Sequence, residues 1–109
     1  MPHSDFPDRI RALPKFDGPI DAFHLAAQGC EVYFASYPAG TTIDSHHHET
    51  DNYGVITQGE LILAIGGEEQ RISVGQWYHV AARISHAARF EQDTSEIEFW
   101  FVNDQSSNS

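Results

Sequence analysis

Only one of the 109 residues is cysteine, Cys30, and the chain has no long apolar run. A lone cysteine cannot form an internal disulfide, so the composition gives no sign of an oxidising compartment. The apolar stretches are far shorter than the ~18 to 20 residues of a membrane-spanning helix, and the first ten residues lack the apolar core of a signal peptide. We therefore expect a cytoplasmic protein that does not associate with a membrane.

Basic residues are also scarce, with 6 lysines and arginines against 16 acidic residues and a formal net charge of −10. A chain this acidic, without a basic cluster, is not expected to bind nucleic acid or an anionic membrane. An anionic substrate would need a local positive charge, such as a metal ion. The hydrophobic fraction of 40% is that of a folded protein, and the length fits one domain.

Histidine is where the sequence is unusual, because three of the seven histidines stand consecutively at positions 46 to 48. In an extended segment, residues two apart point to the same face. His46 and His48 can therefore reach one ion, while His47 points the other way. Imidazole binds zinc, copper, iron and nickel, so the pair indicates a transition-metal site.

The residues around this pair resemble the first conserved motif of the cupin family. Gly40 is followed after five residues by His46, and His48 is followed after three residues by Asn52 and after six more by Gly59. The family normally has glutamate at the position of Asn52.

A later stretch resembles the second cupin motif, with Gly75, Ala81, Arg83 and His86 at its positions. The family usually has proline at the position of Ala81 and glycine at that of Arg83. The resemblance covers roughly residues 30 to 102 and is to small single-domain cupins of the RmlC-like type. It implies an all-β fold, the cupin double-stranded β-helix or jelly-roll barrel.

The resemblance also implies a metal site. One divalent transition-metal ion (iron, manganese, zinc, nickel or copper) would be held by His46, His48 and His86, with Asn52 at the carboxylate position. Asparagine is a neutral and weaker donor, so the ion would keep more positive charge and favour anionic ligands. Alternatively, Glu49 or Asp51 could turn inward and supply the carboxylate.

Alternating apolar residues predict the same fold independently. The predicted strands are short and separated by turns at regular spacing, which is typical of an antiparallel sandwich or barrel. They are Cys30–Tyr37, Thr41–His48, Tyr53–Ile56, Leu61–Ile65, Gln70–Val74, Trp77–Val80, His86–Phe90 and Ile97–Val102.

Three segments follow from this pattern: an N-terminal arm at 1–29, the barrel at 30–102 and a flexible polar tail at 103–109. In the arm, Ser4 or Asp5 is predicted to cap a short helix that Pro14 ends. The rest of the arm is predicted to be a loop, with apolar residues at Phe16, Ile20, Phe23 and Leu25. The arm must dock on its own barrel or on a partner subunit.

Two predicted strands, Leu61–Ile65 and Phe99–Val102, are apolar on both faces, so both faces should be covered. The second cover would be the arm or another subunit. Since cupins are often dimers, the resemblance favours a homodimer.

Arg83 stands where the family usually has glycine, which indicates backbone strain if φ is positive there. Its side chain could pair with a substrate carboxylate near the barrel mouth. An exposed loop arginine is the ordinary alternative.

Three functions remain open for a small-molecule ligand: a metal-dependent dioxygenase or oxygenase, a metal-dependent isomerase or lyase, and a non-catalytic binding or sensing cupin. The second would need a general base near the ion. The sequence offers Tyr53, Glu98 and His79 as candidates, and it identifies no catalytic residue.

Overall fold

The computed structural model describes residues 6–101. One short helix, α1 (Asp8–Arg11), precedes nine strands. The strands are β1 (Asp21–Ala27), β2 (Cys30–Tyr37), β3 (Thr42–His46), β4 (Asp51–Gln58), β5 (Glu60–Ile65), β6 (Glu68–Ser73), β7 (Trp77–Val80), β8 (His86–Arg89) and β9 (Thr94–Phe101). Within residues 6–101, no helix has the length and apolar character needed to cross a membrane.

The strands form two antiparallel sheets. One has five strands in the order β1-β2-β9-β4-β7, and the other has four in the order β3-β8-β5-β6. One cluster of buried side chains joins them, with Tyr37 and Ile56 from the first sheet and Leu61 and Leu63 from the second. The two inner faces therefore enclose one core, and the predicted all-β jelly-roll barrel is confirmed.

Most predicted strands are present with small shifts of their ends. Cys30–Tyr37 and Trp77–Val80 have the predicted bounds. Asp51 and Asn52 belong to β4, although the predicted strand began only at Tyr53. The predicted tail at 103–109, and Ser4 and Asp5 as helix caps, lie outside the described residues.

The predicted loop in the second half of the arm is wrong. Asp21–Ala27 is a full strand, paired with β2 along its whole length. The segment DAFHLAA contains none of the β-branched residues that usually mark a strand, and a Gly-Pro pair that favours a loop lies shortly before it. Pairing with a long apolar neighbour outweighs this weak local preference.

The arm docks on its own barrel, which is one of the two predicted alternatives. Phe6 and Phe23 form a second buried cluster with Val32 and Phe34 of β2. The rings of Phe6 and Phe34 meet edge to face, with centroids 5.8 Å apart. The arm therefore covers the outer face of the five-stranded sheet at its β1–β2 end.

Candidate metal centre and the cavity around it

Three histidines meet at one end of the barrel. His46 ends β3 and is the cross-strand partner of His86, which begins β8. His48 lies in the loop that follows β3. One ring nitrogen from each of the three lies within 4.8 Å of the others. The fold therefore brings together the three imidazoles that the sequence predicted as metal ligands.

Backbone hydrogen bonds orient two of these rings. Nδ1 of His46 is 2.8 Å from the carbonyl oxygen of Asp44, and Nδ1 of His86 is 3.0 Å from that of Ile84. A carbonyl can only accept, so Nδ1 carries the proton in both rings. The lone pair then resides on Nε2, the arrangement in which a neutral imidazole binds a metal.

The environment also favours neutral rings. Burial, with smaller contributions from the neighbouring histidines, lowers the pKa of His48 from 6.5 to about 4. Burial likewise lowers the pKa of His86. Metal binding requires deprotonated imidazoles, and these shifts supply them at neutral pH.

Asn52, the predicted fourth ligand, is buried on β4 and lines the same cavity as the histidines. Its Nδ2 donates to the backbone carbonyls of Tyr53 and Phe99, at 3.3 and 3.4 Å. The amide therefore has its nitrogen bound to the backbone, and its oxygen Oδ1 is the atom available to a cation.

The two acidic alternatives are engaged elsewhere. Asp51 accepts a hydrogen bond from the backbone nitrogen of Ala82 at 2.8 Å. Glu49 is exposed and pairs with Arg83 at 3.5 Å. Among the described residues, the metal-competent cluster consists of His46, His48 and His86 and contains neither carboxylate.

Arg83 has φ of 67°, the conformation that the family's glycine suggests. Its backbone nitrogen donates to the carbonyl of His48 at 2.6 Å, so this strained residue fixes the loop that carries His48. Its side chain is exposed and is not part of the cavity wall. The structure thus favours the interpretation of Arg83 as an exposed loop arginine over a contact between its side chain and a substrate.

The cavity between the sheets has a volume of about 900 Å³, enough for a small organic molecule. Its wall is mainly apolar and includes Leu61, Leu63, Val80 and Phe90. The histidines and Asn52 form one polar part of it. Fixed polar groups in an apolar cavity are typical of a ligand site.

A second polar part comes from β9, where Glu96, Glu98 and Trp100 alternate toward the interior. Glu96 and Glu98 are only 2% and 3% exposed. Sequence reasoning missed Glu96 and named Glu98 only as a candidate base. Parity separates them from Ile97, Phe99 and Phe101 on the opposite face of the strand, but this pattern ordinarily predicts that the glutamates face solvent.

Three side-chain donors reach these carboxyl groups, two of them from other strands. The Tyr37 hydroxyl donates to Glu98 and the Tyr78 hydroxyl to Glu96, each at 2.5 Å. Nε1 of Trp100 donates to Glu98 at 3.1 Å. Burial raises the pKa of both carboxyl groups, and the raised value is most marked for Glu96.

The other two candidate bases are outside the cavity. Tyr53 and His79 stack on each other across β4 and β7, with ring centroids 4.2 Å apart. Neither lines the cavity. Of the three candidates, only Glu98 faces the space next to the histidines.

Comparison with known proteins shows the family. A family model described as "Cupin domain" matches residues 33–103. The chain belongs to the cupin domain family. Within this cupin, the match covers both stretches that resembled cupin motifs and all three clustered histidines.

Solved structures with the same fold extend beyond the matched segment. A conserved protein of unknown function from Streptococcus pyogenes superposes with a TM-score of 0.73 at 19% identity, over 91% of this chain and 88% of that one. An RmlC-like cupin from Shewanella frigidimarina gives 0.71 at 14% identity, over 84% and 85%. A cupin superfamily protein from Desulfitobacterium hafniense gives 0.71 at 14%, over 84% of each chain.

One curated relative is similar in sequence. "Uncharacterized protein y4oW" of Sinorhizobium fredii is 34% identical over 62 residues, which is 57% of this cupin. The matched segment spans 26% of that relative's length.

Proposed function

We propose that this cupin binds one divalent transition-metal ion through His46, His48 and His86, with Oδ1 of Asn52 as a fourth ligand. The observation that carries the proposal is the convergence of three imidazole nitrogens within 4.8 Å on the wall of a mainly apolar cavity. The Nδ1 hydrogen bonds of two of these rings direct their lone pairs to Nε2. All four ligands are neutral.

Neutral ligands leave the full charge of a divalent ion at the site. A chain with net charge −10 would otherwise repel an anion, so the ion would be the feature that draws an anionic or chelating small molecule into the cavity. Iron, zinc, nickel and copper suit imidazole ligands, and manganese remains in the predicted set.

The first reaction class that we propose is a dioxygenase or oxygenase. Three or four protein ligands leave coordination positions open, and a bound iron would supply the capacity to activate dioxygen beside a substrate. The apolar wall supports this proposal, because it keeps bulk water from the reacting groups.

A specific observation favours the second class, an isomerase or lyase. Glu98, a candidate general base, lines the same cavity as the three histidines. A metal-dependent isomerase or lyase requires such a base within reach of the bound substrate, whereas an oxygenase does not.

The experiment compares these classes directly. Metal-free protein is loaded with each candidate ion and incubated with a panel of small carboxylic, 2-oxo and hydroxy acids, while an oxygen electrode and proton NMR are read together. Oxygen uptake that requires iron supports an oxygenase, and conversion without oxygen uptake supports an isomerase or lyase. Binding without turnover supports a sensing cupin. The matched control is the His48→Ala, His86→Ala double variant, which should lose all turnover.

We also propose that the protein is a homodimer. Tyr53, Trp77, Phe99 and Phe101 line an exposed concave patch on the outer face of the five-stranded sheet. Trp77 is 61% exposed on β7, a strand at the edge of that sheet. Sedimentation should give twice the chain mass for the wild type and the chain mass for Trp77→Asp.

The cytoplasmic location stays a prediction.

A further inference from the structure

The two glutamates of the cavity lack a compensating cation. Glu96 and Glu98 lie two residues apart on the same face of β9, line the same cavity and are nearly fully buried. Within residues 6–101, none of the ion pairs involves either of them. Two neighbouring carboxylates buried in a medium of low dielectric without a cation do not both ionise, so we expect the pair to hold one proton.

The surrounding donors stabilise the remaining negative charge. Tyr37 and Tyr78 each donate a hydroxyl, and Trp100 donates its indole N–H. These three side chains come from β2, β7 and β9, so the barrel itself fixes the carboxyl groups. The pair therefore presents one carboxylate and one carboxylic acid side by side, in a defined geometry.

Trp100 connects this pair with the histidines. Its indole nitrogen is 3.1 Å from Oε1 of Glu98, and its ring meets the His48 ring edge to face at a centroid distance of 4.5 Å. Neither glutamate belongs to the metal-competent cluster among the described residues. Trp100 thus contacts both His48 and Glu98, and the histidines and the carboxyl groups line one cavity that a single small ligand can occupy.

We propose that Glu96 and Glu98 are the acid–base pair of this cavity, acting on a small carbonyl compound with a C–H bond next to the carbonyl. The inference rests on the proposed function, since an ion at the histidines would hold the ligand. It adds the residues that move protons and the chemical class of the substrate.

The protons balance within the pair. The ionised carboxylate accepts the proton from carbon as the C–H bond breaks, and the electron pair of that bond forms the C=C bond of the enol. The protonated partner gives its proton to the carbonyl oxygen. The pair still holds one proton. Return of a proton to the same carbon gives exchange. In a 2-hydroxy carbonyl compound the enol is an enediol, so delivery of a proton to the former carbonyl carbon, with return of the 2-hydroxyl proton to the pair, gives isomerisation.

The shared proton is tested first in metal-free protein, by measurements that do not depend on enzymatic activity. We expect infrared difference spectra at neutral pH to show the carbonyl band of a protonated carboxyl group, lost in both Glu96→Gln and Glu98→Gln. We also expect dicyclohexylcarbodiimide, an apolar reagent for protonated carboxyl groups, to label the pair from the cavity. The matched control is Glu68→Gln, the same change at an exposed glutamate, which should retain the band and the label. Absence of the band or the label from the wild type would overturn the proposal.

The transfer itself is tested with pyruvate, a small chelating carbonyl compound, and metal-loaded protein in D₂O. Wild type and Glu68→Gln should exchange the methyl protons, and each glutamine variant of the pair should slow exchange by about 10²- to 10⁴-fold. Using both variants keeps the test decisive if one does not fold. Metal-loaded wild type without exchange, or unchanged exchange in the variants, would overturn the acid–base role. Protein that takes up no metal would contradict only the proposed function, and the infrared and labelling results would still decide whether the pair shares a proton.

Discussion

His46 and His86 are directly opposite each other on the antiparallel strands β3 and β8, with ring centroids 4.4 Å apart. The register of this strand pair therefore brings together two histidines that are 40 positions apart in the sequence. The sequence supplies the third ring two positions after His46. The candidate metal centre thus depends on one strand pairing and one short loop.

The first prediction concerns Gly54, which leaves room for the ring of Tyr78. A Cβ at this position would lie 2.4 Å from two ring atoms of Tyr78. Gly54→Ala should therefore lower the free energy of unfolding by about 1–3 kcal/mol, because the core must shift to accept the methyl group. Urea denaturation measures the change.

A double-mutant cycle supplies the control for Gly54. In a Tyr78→Ala background the ring is absent, so adding Gly54→Ala should cost much less. An equal cost in both backgrounds would show that the destabilisation does not arise from the Tyr78 ring.

The second prediction concerns the strained backbone at Arg83, whose φ is 67°. Arg83→Gly should raise the free energy of unfolding by about 1 kcal/mol, since glycine adopts this conformation without steric cost. The lost pair with Glu49 is exposed and should matter little. Arg83→Ala is the matched control, because it removes the same charge but keeps a Cβ. Equal stability of the two variants would rule out relief of strain.

The third prediction is a dependence of stability on pH in metal-free protein. Burial and the neighbouring Glu98 raise the pKa of Glu96 well above its ordinary 4.5. The folded protein then keeps a proton that the unfolded chain loses above pH 4.5, so this group makes the free energy of unfolding fall as pH rises. The lowered pKa of His48 acts oppositely between about 4 and 6.5, where the unfolded chain binds the extra proton.

The two contributions separate about one pH unit above 6.5, where His48 is almost entirely neutral in both states. There, the free energy of unfolding of the wild type should decline with pH, and that of the Glu96→Gln, Glu98→Gln double variant should be nearly constant. Denaturant titrations at several pH values measure both slopes. Parallel slopes would contradict a raised carboxyl pKa in the folded state.

Much of the fold could be predicted because its signals are local. Period-two alternation and turn residues marked eight of the nine strands, and two-residue spacing placed His46 and His48 on one face. Strand β1 was missed because its sequence contains no β-branched residues, and long-range pairing with β2 decides its conformation.

The carboxylate pair was harder to predict for a physical reason. Alternate glutamates on a strand ordinarily mark a solvent-facing side, and nothing within β9 shows that Glu96 and Glu98 face inward. Their hydroxyl partners are distant in sequence, with Tyr37 61 residues from Glu98 and Tyr78 18 residues from Glu96. Only the assembled barrel brings these groups together.

The central claim is tested most directly by counting metal ions. Protein purified without a histidine tag or nickel column is stripped with a chelator, titrated with iron, manganese, zinc, nickel and copper in turn, and examined by calorimetry and elemental analysis. We expect one ion per chain in the wild type and in His47→Ala, a matched control whose exposed ring is outside the cluster. We expect none in the folded His48→Ala, His86→Ala double variant. Failure of the wild type to bind any of these ions, or equal binding by the double variant, would contradict a metal centre at these histidines.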